Sequence, residues 1–185
     1  MIMSIAEAAR ALRGGGVIAY PTEGVYGLGC DPADQVAFER LFALKQRPAT
    51  QGVLLLAADF AQVEPYIDLA AVPAKVLDEV RASWPGPHTW IFPRTARVPA
   101  WVAGTHAGIA LRVTSHGPAA ELCRACGMAI VSTSANPHGE APAMDAATCE
   151  RYFPQGLAGV VDAPLGGLSK PTTIRDALTG AVIRA

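Results

Sequence analysis

The stretch Leu12-Arg13-Gly14-Gly15-Gly16-Val17-Ile18-Ala19-Tyr20-Pro21-Thr22-Glu23 decides the fold class, because it runs helix, glycines, strand in that order. Upstream, Ser4 is placed to cap a helix over residues 4–13 whose Ile5, Ala8, Ala9 and Leu12 share one face. The three glycines stop that helix, and residues 17–20 follow as a strand. A phosphate-cradling loop has the reverse order, strand, glycines, Lys-Ser/Thr, helix. The glycine run is therefore a helix terminator and not a nucleotide loop.

Downstream, Asp31 or Asp34 caps a second helix with Phe38, Leu41 and Phe42 inward, and Pro48 makes it fray near Lys45. Residues 53–57 form a continuous apolar run of strand length, and Asp59 opens a short helical segment. A helix over about 73–83 breaks at Trp84-Pro85-Gly86-Pro87, before a strand at 89–92. Further strands are predicted at 109–113, 129–132, 159–162, 172–176 and 181–184, helices at 117–126 and around 144–152, and a polar loop at 134–143. Helices and strands alternate early and the end is strand-rich. That pattern predicts an α/β fold, an open twisted mixed β-sheet with helices packed on it. With no repeat and no linker long enough to divide it, the chain reads as a single domain over residues 1–185.

Hydrophobic residues make up 51% of the chain and charged residues 17%, which excludes a disordered chain and implies a well-buried interior. Fifteen Lys and Arg against sixteen Asp and Glu give a net charge of −1, so no global field draws nucleic acid or an anionic membrane, and any anion site is local. No run of 18 apolar residues exists, and Glu7 and Arg10 interrupt the first segment, so a cytoplasmic protein is expected. Cys30, Cys123, Cys126 and Cys149 lack the paired spacing of a zinc ribbon; Cys123 and Cys126 fall on one helical face, as core thiols do. No metal site is expected from the protein's own side chains.

Four polar clusters remain. Residues 21–29, Pro21-Thr22-Glu23-Gly24-Val25-Tyr26-Gly27-Leu28-Gly29, follow a buried strand, where α/β proteins build sites, although a glycine-rich turn with Tyr26 in the core fits equally. Lys45-Gln46-Arg47-Pro48 puts two cations at a helix end, on local grounds a solvated cap. Ile109-Ala110-Leu111-Arg112-Val113 encloses an arginine in an apolar strand, which requires a structural carboxylate or an anionic ligand, with the ligand slightly favoured. Ser132-Thr133-Ser134-Ala135-Asn136 ends a strand; if the strand persists, Ser132 and Ser134 share a face. No Gly-x-Ser-x-Gly elbow surrounds any of these serines, and His88, His106, His116 and His138 lie in unlike contexts, so a hydrolase triad is not assigned.

Taken in this order, these clusters resemble the YrdC/TsaC family, in its short bacterial form, from residue 12 to residue 184. The resemblance rests on the 21–29 segment, Lys45-x-Arg47-Pro48, Trp84-Pro85-Gly86-Pro87-x-Thr89, the Arg112 strand, Ser132 to Asn136, and Thr173-Ile174-Arg175-Asp176. Gly24 and His88 depart from the usual pattern and Lys170-Pro171-Thr172-Thr173 from that of the long form, all bearing on pocket shape. The resemblance implies synthesis of threonylcarbamoyl-AMP from L-threonine, bicarbonate or CO2, and ATP, with release of pyrophosphate, for tRNA N6-threonylcarbamoyladenosine modification. It also implies a hand-off to the tRNA threonylcarbamoyl-transfer machinery.

By the same likeness Lys45 and Arg47 hold the phosphates and act in catalysis. Ser134, Asn136 and more faintly Thr172 complete the ATP site, and Thr22, Arg112 and Ser132 bind L-threonine. Mg2+ accompanies the ATP. The alternative is a double-stranded RNA or tRNA-binding module of the same fold, for which Lys45, Arg47 and Arg112 are few cations to carry the affinity.

Overall fold

The computed structural model describes residues 1–47, 52–169 and 172–184. The chain opens with β1 (Ile2–Met3) and α1 (Ile5–Arg13), then a hairpin of β2 (Ile18–Pro21) and β3 (Tyr26–Gly29), then α2 (Gln35–Lys45) and β4 (Leu54–Ala57). After α3 (Phe60–Val63), two short 3-10 turns and α4 (Ala74–Ser83) come β5 (His88–Pro93), α5 (Ala100–Ala103), β6 (Gly108–Val113), α6 (Gly117–Cys126) and β7 (Ile130–Ser134). The last elements are α7 (Ala146–Tyr152), β8 (Gly159–Val161), β9 (Thr173–Asp176) and β10 (Val182–Arg184).

Helix boundaries follow local chemistry. Ser4 and Glu7 form a reciprocal capping box on α1, and Gly14 closes it. Of the two candidate caps for α2, Asp34 is the one used, accepting from the Ala37 amide at 3.0 Å. That helix ends at Lys45, where Gln46 turns left-handed at φ 52°; Pro48, the expected stop, lies outside the described residues. Asp59 caps α3 as its position predicted.

Among the described residues the strands form one mixed sheet, in the order β1-β8-β2-β3-β7-β4-β6-β5-β9-β10. The larger apolar cluster, built on Phe38, Leu41, Leu55, Trp90, Phe92 and Leu111, lies on one face; a smaller one, with Leu12, Ile18, Tyr20, Leu56, Leu122 and Ile130, lies on the other. Helices α1 and α6 pack together over the smaller cluster.

Residues 22–25 turn and Tyr26 is buried in the core, as one reading of the 21–29 segment expects, but the segment is not a loop throughout. Tyr26–Gly29 is a strand paired antiparallel with β2. The glycines serve close approach: a Cβ on Gly29 would lie 2.9 Å from the Tyr20 ring and 3.0 Å from Val131 O, and one on Gly27 would lie 3.4 Å from the same ring. Two bare positions thus let the Tyr20 ring lie across β3. The strands β1 and β3 and the one-turn helix α5 are the elements the periodicity did not reveal, each being four residues or fewer.

Candidate active site

Register places the polar residues on one face. Leu56, of the smaller cluster, pairs with Ile130 and with Arg112; two residues earlier Leu54 pairs with Ser132 and with Ala110. Residues paired across a ladder project to the same side, so Arg112 and Ser132 stand on the face that α1 and α6 cover only in part. The strand β7 does persist through Ser134, which pairs with Gly27 and shares the face of Ser132. The uncovered part of this face is a cleft of about 810 Å³. Thr22, Thr89, Arg112, Ser132, Ser134 and Thr172 are among its polar lining, and Leu54, Ile91, Ala110 and Ile174 are among its apolar lining.

Beside it lies a smaller hollow of about 290 Å³, lined by Lys45, Arg47, Ser134, Asn136, His138 and Gly139. Arg47 and Ser134 line both, so the two are parts of one site. All eight residues singled out by resemblance therefore line it: Lys45, Arg47, Ser134 and Asn136 toward the smaller part, Thr22, Arg112, Ser132 and Thr172 in the larger. Thr172 Oγ1 sits 3.5 Å from Thr89 Oγ1.

Lys45 is not the solvated helix cap that local reasoning suggests. It is 3% exposed, and its Nζ donates to Ser134 O, to Asn136 O at 3.1 Å and to Asn136 Oδ1 at 3.3 Å. An ammonium has three donors, so all are engaged, and Lys45 holds the turn from Ser134 to Asn136 in place. The turn is braced further by Ser134 Oγ donating to Asn136 Oδ1 at 2.6 Å and by Asn136 Nδ2 donating to Glu140 O at 2.8 Å. Burial, with the Arg47 charge adding to it, pushes the Lys45 ammonium down to about 8. Arg47 is half-buried; its backbone amide donates to Phe42 O at 3.3 Å, and its side chain makes no hydrogen bond or ion pair to a described residue.

Arg112 does have a structural partner, against the slight preference for a ligand alone. It is 5% exposed, and its Nη2 lies 3.4 Å from Glu23 Oε2. The chain reaches that carboxylate from the β2–β3 turn, where the Thr22 amide and Oγ1 both donate to Val25 O, at 3.1 and 2.7 Å. Glu23, Thr114 and His116 are the residues sequence reasoning left unassigned. The signal for Glu23 was present: an arginine in an apolar strand demands a carboxylate, and Glu23 is the acidic residue of the first cluster. His116 is no surface residue; it is 8% exposed and caps α6. His106 and His138 are exposed and line the site, His106 in the larger part and His138 in the smaller.

No carboxylate lines either part, and no group of three or more His, Cys, Asp or Glu that could hold a metal exists among the described residues. The four cysteines are free and buried, with Cys123 Sγ 3.4 Å from Leu56 O, as expected of core thiols. No helix of the described residues is long and apolar enough to cross a membrane.

A family model described as "Telomere recombination", carrying the names Sua5, YciO and YrdC, matches residues 10–185. Threonylcarbamoyl-AMP synthase of Stenotrophomonas maltophilia is 49% identical over 183 residues, 99% of this chain and 98% of that protein. The protein of the same name from Halorhodospira halophila is 50% identical over 97% of this chain and 93% of its own length. Among solved structures, E. coli YciO superposes with a TM-score of 0.84 at 29% identity, covering 97% of this chain and 87% of that one. P. abyssi Sua5 complexed with L-threonine gives 0.86 at 30% identity, over 93% of this chain and 50% of that longer one.

Proposed function

Since this chain belongs to the Sua5/YciO/YrdC family, we propose that it is an L-threonylcarbamoyladenylate synthase, condensing L-threonine, bicarbonate or CO2, and ATP and releasing pyrophosphate. The observation that carries the reading is the continuity of the site. Lys45 and Arg47 stand in one part, Arg112 in the other, and Arg47 and Ser134 line both.

The reaction joins two anions. The threonine amine and bicarbonate give a carbamate and water, a carbamate oxygen attacks the α-phosphorus, and the bond from that phosphorus to the bridging oxygen of the β-phosphate breaks as pyrophosphate leaves. No protein nucleophile is required; the work is to hold the two reactants in line and neutralise their repulsion. Arg112 pairs with the threonine carboxylate, and Ser132 and Thr22 offer hydroxyls beside it. The Arg47 guanidinium, with no partner among the described residues, receives the phosphates first. Lys45 reaches them by giving up a contact to the Ser134–Asn136 turn, and the hydroxyl of Ser134 and the amide of Asn136 complete the nucleotide contacts. Thr172 closes the larger part against Thr89.

Mg2+ suits this lining only as a companion of ATP, because hydroxyls and amides surround the phosphates where carboxylates would be needed for a protein-held ion. When bound, it would offset triphosphate charge. We further propose that the protein works in the cytoplasm and passes its labile product to the enzymes that modify tRNA. The test is pyrophosphate release by the purified protein with L-threonine, bicarbonate and Mg2+ present together and each omitted in turn. Dependence on all three is expected; equal release without threonine would sink the proposal.

A further inference from the structure

The ion pair behind the threonine site is incomplete on both sides. Arg112 and Glu23 side chains are 6% and 8% exposed, and their 3.4 Å separation is longer than a charge-assisted hydrogen bond. Arg112 Nε and Glu23 Oε2 are buried without a hydrogen-bond partner among the described residues. Buried pairs are favourable only when further hydrogen bonds satisfy the remaining donors and acceptors, so this pair is built for something other than stability.

Glu23 is nevertheless firmly held. Its Oε1 accepts from Thr114 Oγ1 at 2.5 Å, and its backbone carbonyl accepts from the Leu168 amide at 2.9 Å. Thr114 Oγ1 in turn accepts from the His116 amide at 3.1 Å. The His116 ring is pinned at both nitrogens: Nδ1 accepts from the Ala119 amide at 3.4 Å, which leaves Nε2 to donate to Pro164 O at 2.9 Å. Glu23 is absent from the cleft lining, whereas Arg112 is part of it. The carboxylate thus stands behind the arginine, away from any ligand.

We propose that Glu23, braced by Thr114, is the positioning residue that fixes the plane of the Arg112 guanidinium, so that its remaining donors meet the carboxylate of the amino-acid substrate. This rests on the function proposed above. A guanidinium recognises a carboxylate through coplanar N–H donors, and on its flexible stem it would otherwise sample several orientations. An anchor behind the group fixes the plane while sparing the donors that face the cleft. Glu23 touches no substrate and acts through Arg112.

The test measures L-threonine and ATP binding separately by calorimetry in Thr114→Val, Thr114→Ser and Glu23→Asp. Valine keeps the shape and removes the hydroxyl; serine restores it; aspartate keeps the charge but is one methylene too short to reach both Thr114 and Arg112. In Thr114→Val and Glu23→Asp the threonine dissociation constant should rise tenfold or more while that of ATP stays within twofold, and Thr114→Ser should bind threonine like the parent protein. Should Thr114→Val fail to fold, Glu23→Asp decides alone. Unchanged threonine binding, or equal weakening of both ligands, overturns the proposal. A parent protein that binds no threonine would instead overturn the proposed function.

Discussion

Raising the pH should weaken ATP binding while it strengthens the fold, and both effects come from Lys45. In the folded chain its ammonium is pushed down to about 8, against 10.5 for an unburied lysine. At pH 7 about nine-tenths of the molecules carry the charge; at pH 9 about one-tenth do. If the ammonium grips a phosphate, ATP affinity is near its full value below about pH 7, drops through pH 8, and falls by up to tenfold per pH unit above that. The fall levels off once the charge-assisted bond, worth roughly 1.5–3 kcal/mol, is gone, a total loss of roughly ten- to hundredfold. Stability moves the other way. Between pH 8 and 10.5 the unfolded chain holds a proton that the folded chain has released, so unfolding becomes harder across that window. The gain is on the order of 3 kcal/mol when the lowering is converted at 1.36 kcal/mol per unit. The assay is ATP titration by calorimetry from pH 6.5 to 10, beside urea unfolding at the same pH values, for the parent protein and Lys45→Met. The variant should bind ATP weakly at every pH, as the parent does at pH 10. An ATP affinity that is flat to pH 10 in the parent would refute the phosphate role of Lys45.

Arg112→Ala should raise the threonine dissociation constant far more than that of ATP, and should cost about 3 kcal/mol of stability because Glu23 is left buried and unpaired; similar weakening of the two ligands contradicts the assignment. Arg47→Ala should nearly abolish pyrophosphate release and yet leave the unfolding free energy within about 0.5 kcal/mol, since the side chain has no partner among the described residues. A large stability loss in that variant would mean that Arg47 is structural. Gly29→Ala should destabilise by about 1–3 kcal/mol, its Cβ driven against the Tyr20 ring and Val131 O; a melting temperature within a degree of the parent's counts against close packing at β3.

The sequence by itself determined the α/β class, the order of the helices and most strands, and the reading of Gly14 to Gly16 as a terminator, because capping, periodicity and chain breaks are local properties. The short strands β1 and β3 escaped for the same reason: they have almost no period of their own and exist through their neighbours. Of the site, the residue types and their motifs were legible, but their environments were not. Lys45 and Arg47 look alike at a helix end. Only the packing of the 134–140 loop onto α2 makes one a buried tie and leaves the other half-exposed between the two parts of the cleft. Likewise the sequence showed that Arg112 needs an anion, while the partner was settled by tertiary structure. Glu23 lies 89 positions away in the chain and is carried to β6 by a sheet in which β2, β3, β7, β4 and β6 are successive neighbours. Charge pairing, burial and the shift of a lysine depend on atoms that meet across the sheet, and a one-dimensional pattern does not record which ones meet.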